Sequence, residues 1–134
     1  GKHHLVEAKL SIKTILREER FEKGQSLKEQ IIIGTPGKLW TLISMRVLDT
    51  SAVKIFVLDE ADTMMDMGFI HDLRRVIKHI PQDRQSLFFS ATMPPNILQF
   101  ASTMLKEPER VEVAPESTAA DTVEQVYSKR KWKH

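Results

Sequence analysis

Three places in this sequence put acidic, hydroxyl or glycine residues directly after an apolar run. Val53–Leu58 runs into Asp59-Glu60-Ala61-Asp62, Ser86–Phe89 into Ser90-Ala91-Thr92, and Ile31–Ile33 into Gly34-Thr35-Pro36-Gly37-Lys38. A carboxylate at the tip of a buried strand can hold Mg²⁺, directly or through water, beside nucleotide phosphates. Asp59 has that place, and Glu60 beside it can orient or deprotonate an attacking water. The competing reading of the tetrad is a solvated acidic turn. Ser90 and Thr92 can bond Asp62 or Glu60 across neighbouring strand tips, or cap a helix that starts near Pro94. The glycine pair superficially suggests a nucleotide phosphate loop, G-x-x-x-x-G-K-[ST]. It fails, because only Thr35 and Pro36 separate Gly34 from Gly37 and Leu39 stands where a hydroxyl is needed. What remains is a tight turn with amides and one cation at a helix N-terminus. That suits a nucleic-acid phosphate, and equally an ordinary strand-to-helix turn.

The elements that must position these residues alternate along the chain. Alternation over 10–16 predicts a strand, and the polar stretch 21–30 a loop or short helix. Ile31–Ile33 reads as a buried strand, followed by an amphipathic helix over 38–47 with Leu39, Leu42, Ile43 and Val47 on one face. Val53–Leu58 is a second buried strand. Ile70, Leu73, Val76, Ile77 and Ile80 form a helical stripe closed by Pro81. A strand over 86–89 precedes a helix that starts at Pro94-Pro95, with Ile97, Ala101, Met104 and Leu105 on its apolar face. Residues 110–113 form a last short strand, 114–121 have linker composition, and 122–134 are too short for a domain. This order implies an α/β fold, a mainly parallel sheet buried on both faces and flanked by helices. Ligands of such sheets gather at the carboxyl ends of the strands, after residues 33, 58 and 89.

Composition narrows the classes. The chain has 134 residues, 41% hydrophobic and 28% charged, as expected of a globular domain rather than a disordered one. With no Cys there is no disulfide framework, thiolate zinc site or cysteine nucleophile. No apolar run approaches about 18 residues and no signal-peptide pattern opens the chain, so the expectation is an intracellular protein of cytoplasm or nucleus, away from membranes. The net charge of +2 comes from residues 129–133, which hold four of the 20 basic side chains; the rest carries 16 against 18 acidic. A nucleic-acid grip must therefore come from placed amides and a few cations rather than a general field. Trp132 in that basic tail can stack on RNA, or the tail can be a solvated end or linker. His3-His4 and the pair His71 and His79 lack the partners of a metal site, and Met64, Met65 and Met67 read as packing.

Taken together the motifs resemble those of the DEAD-box RNA helicases. Val57-Leu58-Asp59-Glu60-Ala61-Asp62 with Met65–Phe69 is similar to motif II, Ser90-Ala91-Thr92 to motif III, and Thr35-Pro36-Gly37-Lys38 to motif Ib. The resemblance covers roughly 10–128 and implies a partial RecA-like, P-loop NTPase-type three-layer fold. Residues 1–113 would be part of a first RecA-like domain and 114–134 a linker toward a second. It further implies ATP hydrolysis coupled to RNA binding and local duplex unwinding, with ATP and Mg²⁺ as cofactors. Asp59 would hold Mg²⁺, Glu60 would position the water, and Asp62 would bond Ser90 and Thr92 to couple hydrolysis to RNA. Thr35, Gly37 and Lys38, with Gly68 and Phe69 nearby, would contact the RNA backbone largely without reading sequence.

Departures from the pattern matter. Lys38 stands where the family usually has Arg, keeping the charge but losing the planar fork, and Thr63 follows the tetrad where Arg is frequent. Residues 23–37 resemble the mRNA-export branch and 59–128 the general bacterial-type members. The chain's 134 residues include no phosphate loop, adenine-reading Gln segment, motif Ia or arginine finger. By itself it is expected to be inactive as an ATPase, and the strand over 86–89 is expected to present an unpaired edge where the phosphate-loop strand lies in the family. The alternative is a catalytically inactive RNA-binding or protein-interaction module, or a chimeric or engineered fragment, whose partners would be RNA, other proteins or the remaining helicase segments.

Overall fold

A computed structural model describes residues 9–105, 109–113 and 124–129; His3-His4, residues 114–123 and the tail 130–134 lie outside them. The chain divides into two compact units, Gly1–Asp49 and Thr50–His134.

In the first unit, strands β1 (Ile12–Thr14) and β2 (Ile31–Ile33) pair in parallel, with Ile12 opposite Ile31. β1 is shorter than the expected 10–16, and residues between the strands form a loop rather than a helix. Helix α1 (Pro36–Ser44) begins two residues before the sequence-based boundary because Pro36 takes the first helical turn, where its missing N–H costs nothing. Leu42 and Val47 from α1 and its exit are fully buried with Ile15, and Phe21, Leu27 and Leu39 pack around them.

The second unit holds strand β3 (Ile55–Leu58), helices α2 (Ala61–Asp66) and α3 (Ile70–Lys78), strand β4 (Gln85–Ser90), helix α4 (Pro95–Met104) and strands β5 (Glu109–Val113) and β6 (Glu124–Lys129). β3 and β4 are parallel neighbours, Leu58 opposite Phe88, so their carboxyl ends lie side by side. Leu58, Leu73, Phe88, Ile97, Phe100 and Met104 form the core between β3, β4 and the helices. The stripe read from sequence at 70–80 and the Pro94-Pro95 start both hold, since Leu73 and Val76 are buried and Pro95 opens α4. α2 is an addition to the sequence reading. Its end is a Schellman turn: Gly68 N–H bonds Met65 C=O and Phe69 N–H bonds Met64 C=O, with Gly68 at φ 81°. A side chain at Gly68 would be strained.

Two expectations are corrected. Continuous apolar runs do not mean burial on both faces here, because Ile33 and Val57 are each 51% exposed. The β4 edge is also not bare. β6 pairs with it antiparallel, Ser86 opposite Lys129 through Ser90 opposite Gln125, and β5 pairs with β6 on the far side. Residues 124–129 form a strand, and Val126-Tyr127 supply the local β preference. The sheet order is β3-β4-β6-β5, parallel between β3 and β4 and antiparallel in the tail. Deleting residues 124–134 is expected to expose the β4 edge and turn the chain into a concentration-dependent aggregate, read by light scattering. A deletion that stays monomeric at all concentrations would mean that β6 does not protect this edge.

Candidate functional site

β3 ends at buried Leu58, so the next side chains leave the sheet at its carboxyl edge. Asp59 is exposed there, and its Oδ1 accepts the Glu60 N–H at 2.8 Å. Glu60 then takes the left-handed conformation, φ 54° and ψ 47°, which turns the chain sharply from strand into α2. That conformation costs a non-glycine residue about 1–2 kcal/mol, and such strain collects at functional sites. Its carbonyl accepts the Met64 N–H at 2.9 Å, the first bond of α2.

One residue into the helix, Asp62 faces the tip of β4. Its Oδ2 accepts both the Thr92 hydroxyl, at 2.8 Å, and the Thr92 N–H, at 3.1 Å. Its Oδ1 accepts the Thr63 N–H at 3.0 Å. Ser90, 2% exposed, completes the bridge: its hydroxyl accepts the Asp62 N–H at 3.2 Å and donates to the Thr92 carbonyl at 2.7 Å. Partial burial by itself raises the Asp62 pKa, but the bonds from the Thr92 hydroxyl, the Thr63 N–H and the Thr92 N–H together outweigh it and hold the carboxyl below its usual range. The capping alternative for Ser90 and Thr92 does not hold, since neither caps α4, whose N-cap is Pro94.

These strand tips border a cleft of about 150 Å³ lined by Asp59, Glu60, Asp62, Phe89, Ser90 and Ala91. That is well below the ~300–1,000 Å³ of pockets that enclose a drug-sized ligand. Among the described residues no three His, Asp or Glu side chains gather as a metal cage. Mg²⁺ needs no such cage; it is normally held by one or two carboxylates with substrate phosphates and water. Asp59 fits that donor set.

The remaining expected residues fall in two places. Gly68 and Phe69 lie at the turn from α2 to α3, in the same unit as Asp59. Thr35, Gly37 and Lys38 open α1 in the first unit. Thr35 is the N-cap residue, exposed, and its hydroxyl makes no capping bond. Gly37 gives its carbonyl to the Thr41 hydroxyl at 3.0 Å. Lys38 does not project freely. Its ammonium donates to the Glu19 carbonyl and lies 5.7 Å from the centroid of the Phe21 ring. The contacts of Lys38 with Glu19 and Phe21 were not legible, because nothing in their spacing links a loop to a helix start.

With this geometry in view, the DEAD/DEAH box helicase family matches residues 2–100. The chain belongs to that family. The ATP-dependent RNA helicase CshA of Limosilactobacillus reuteri is 43% identical over 105 residues, which cover 77% of this chain and 21% of that protein. The CshA helicase of Streptococcus pneumoniae is 40% identical over 113 residues, covering 78% and 22%. Among solved structures, S. cerevisiae Dbp5 bound to RNA and ADP BeF3 superposes with a TM-score of 0.64 at 36% identity, over 72% of this chain and 25% of that one. A DEAD box protein from Methanococcus jannaschii gives 0.65 at 36% identity, over 74% and 28%. The fold is thus the α/β, RecA-like type of DEAD-box helicases. The chain spans about a fifth of the length of the curated relatives it matches. Among the described residues no helix is long and apolar enough to cross a membrane.

Proposed function

We propose that this chain is the segment of a DEAD-box, ATP-dependent RNA helicase that joins the hydrolytic carboxylates to RNA contacts, as part of its first RecA-like domain. The observation that carries the reading is the bonded bridge from Asp62 to Ser90 and Thr92, beside Asp59 and Glu60 on adjacent strand tips. Asp59 is the carboxylate that would hold Mg²⁺ beside the phosphate oxygens, and Glu60 aligns and deprotonates the attacking water. Bound Mg²⁺ would supply neutralisation of charge on those oxygens. Asp62 ties the start of α2 to β4, so a shift at either strand tip reaches the other. Thr35, Gly37 and Lys38 of the first unit, and separately Gly68 and Phe69 of the second, take the phosphate-sugar backbone of RNA and so bind with little regard to base sequence. Such a protein works inside the cell, in cytoplasm or nucleus, where ATP and RNA are available.

The 134-residue chain alone is expected to hydrolyse ATP no faster than its Glu60→Gln form, since its residues include no phosphate loop to grip ATP. Turnover clearly above that control would overturn the inactivity. Lys38→Ala is expected to weaken single-stranded RNA binding at low salt by about three- to tenfold. RNA binding that is undetectable at low salt, or indifferent to Lys38→Ala, removes the support for motif Ib.

A further inference from the structure

Lys38 is one of two lysines drawn to the same ring. Lys13, on β1, lies 5.9 Å from the Phe21 centroid, against 5.7 Å for Lys38. Two ammoniums this close to one ring repel each other unless something holds them. Glu19 does so with two different atoms. Its carboxylate pairs with Lys13 at 2.6 Å, while its backbone carbonyl accepts from Lys38. The hydrogen bond from Lys13 is the main influence keeping the Glu19 carboxyl low, followed by the Leu16 N–H; Lys13 and Lys38 charge adds to it. Phe21 is itself anchored by packing against Ile15, Leu42 and Val47.

The result is a fixed cluster with two positive charges and one negative, from a strand, a loop and a helix start. Each ammonium has three donors, and among the described residues the one bond each makes to Glu19 leaves others for an outside acceptor. Both lysines sit close enough to the ring for cation–π attraction, so their long side chains are ordered before any ligand arrives.

We propose that Lys13 and Lys38 act as one pre-ordered phosphate-binding pair for single-stranded RNA, with Phe21 and Glu19 as positioning residues. This rests on the RNA reading of Lys38 and extends it to a residue outside motifs Ib, II and III. Neither Glu19 nor Phe21 touches RNA. Glu19 also lowers the pair's charge, so it restrains binding while keeping the geometry.

The test is binding of a labelled single-stranded oligouridine to the full 134-residue chain, titrated over a series of KCl concentrations. Lys13→Met keeps the aliphatic stem but loses the charge. It is expected to weaken binding about three- to tenfold at low salt and to flatten the log affinity against log salt slope by about 0.7. Lys13→Arg should restore both, and Lys13→Gln should repeat the loss should the Met form aggregate. Glu19→Gln keeps an acceptor for Lys13 and should tighten binding and steepen the slope. Lys13→Met with unchanged affinity, beside a Lys38→Met that weakens binding, overturns the pair and leaves the RNA reading standing. Weaker binding with an unchanged slope also overturns it, because Lys13 would then act only through the fold. If neither lysine variant alters binding, or the parent chain does not bind, the RNA reading fails and the pair with it.

Discussion

Glu60→Gln in a full-length helicase carrying this segment is expected to lower ATP turnover by about 10²–10⁴-fold, with ATP affinity little changed. Gln fills the same space and can still touch the attacking water, but it cannot take the proton. The same residue carries a second, opposite effect. Glu60 is held at φ 54° and ψ 47°, at about 1–2 kcal/mol for an L side chain, while the entropic cost of glycine is about 0.5–1 kcal/mol. Strain is the larger of the two, so Glu60→Gly is expected to stabilise the chain by about 0.5–1 kcal/mol while losing turnover. Glu60→Gln keeps the backbone strain and should leave stability unchanged. Phosphate-release kinetics read the first effect and urea midpoints the second. Full turnover in the Gln variant would move the water-positioning role off Glu60. A Gly variant no more stable than the parent would mean that the turn carries no strain.

The site's residue types were legible because each sits at the end of an apolar run, and the order of strand and helix around them follows from periodicity. Leu73 and Val76 on α3 and Pro95 at the head of α4 stand where the stripe and the prolines require. α2 was not legible, since six residues from Ala61 to Asp66 are too few to establish a period. β6 was missed for another reason. Glu124–Lys129 lies in a stretch read as linker, where Val126 and Tyr127 alone favour a strand and the pairing with β4 completes it. Burial was over-read at Ile55 and Val57, because an apolar run reports that a strand can be covered on both faces, not what covers it. The bridge through Asp62 was an open choice between bonding and capping in the residues alone, which the resemblance decided. Contacts such as Glu19 to Lys38 depend on the path of a loop, for which periodicity carries no signal.

Asp62 is where the stability of the site and its proposed coupling meet. Its carboxylate accepts three hydrogen bonds, from Thr63 N–H on one oxygen and from Thr92 N–H and hydroxyl on the other. Asp62→Asn can keep an oxygen toward Thr92 only by turning its NH₂ against the Thr63 N–H. It therefore loses a bond and the charge assistance, about 1–2 kcal/mol. Asp62→Ala loses all three, about 2–3 kcal/mol, with partial solvent exposure keeping the figure from going higher. The pH dependence has a fixed sign. The folded-state pKa lies below the unfolded value of about 3.9, so unfolding binds a proton. The carboxylate's contribution is full above that value and disappears as pH falls through the lower folded one. The stability gap between parent and Asp62→Asn should accordingly stay constant from about pH 5 to 8 and close below about pH 4. Urea midpoints across that range measure it. A gap that persists undiminished in acid would show that Asp62 acts through packing rather than as a bonded anion. In a full-length helicase the same substitution should leave basal hydrolysis closer to normal than RNA-stimulated hydrolysis, because Asp59 and Glu60 remain in position while their tie to β4 is cut. Equal loss of both rates would place Asp62 in the hydrolytic step itself.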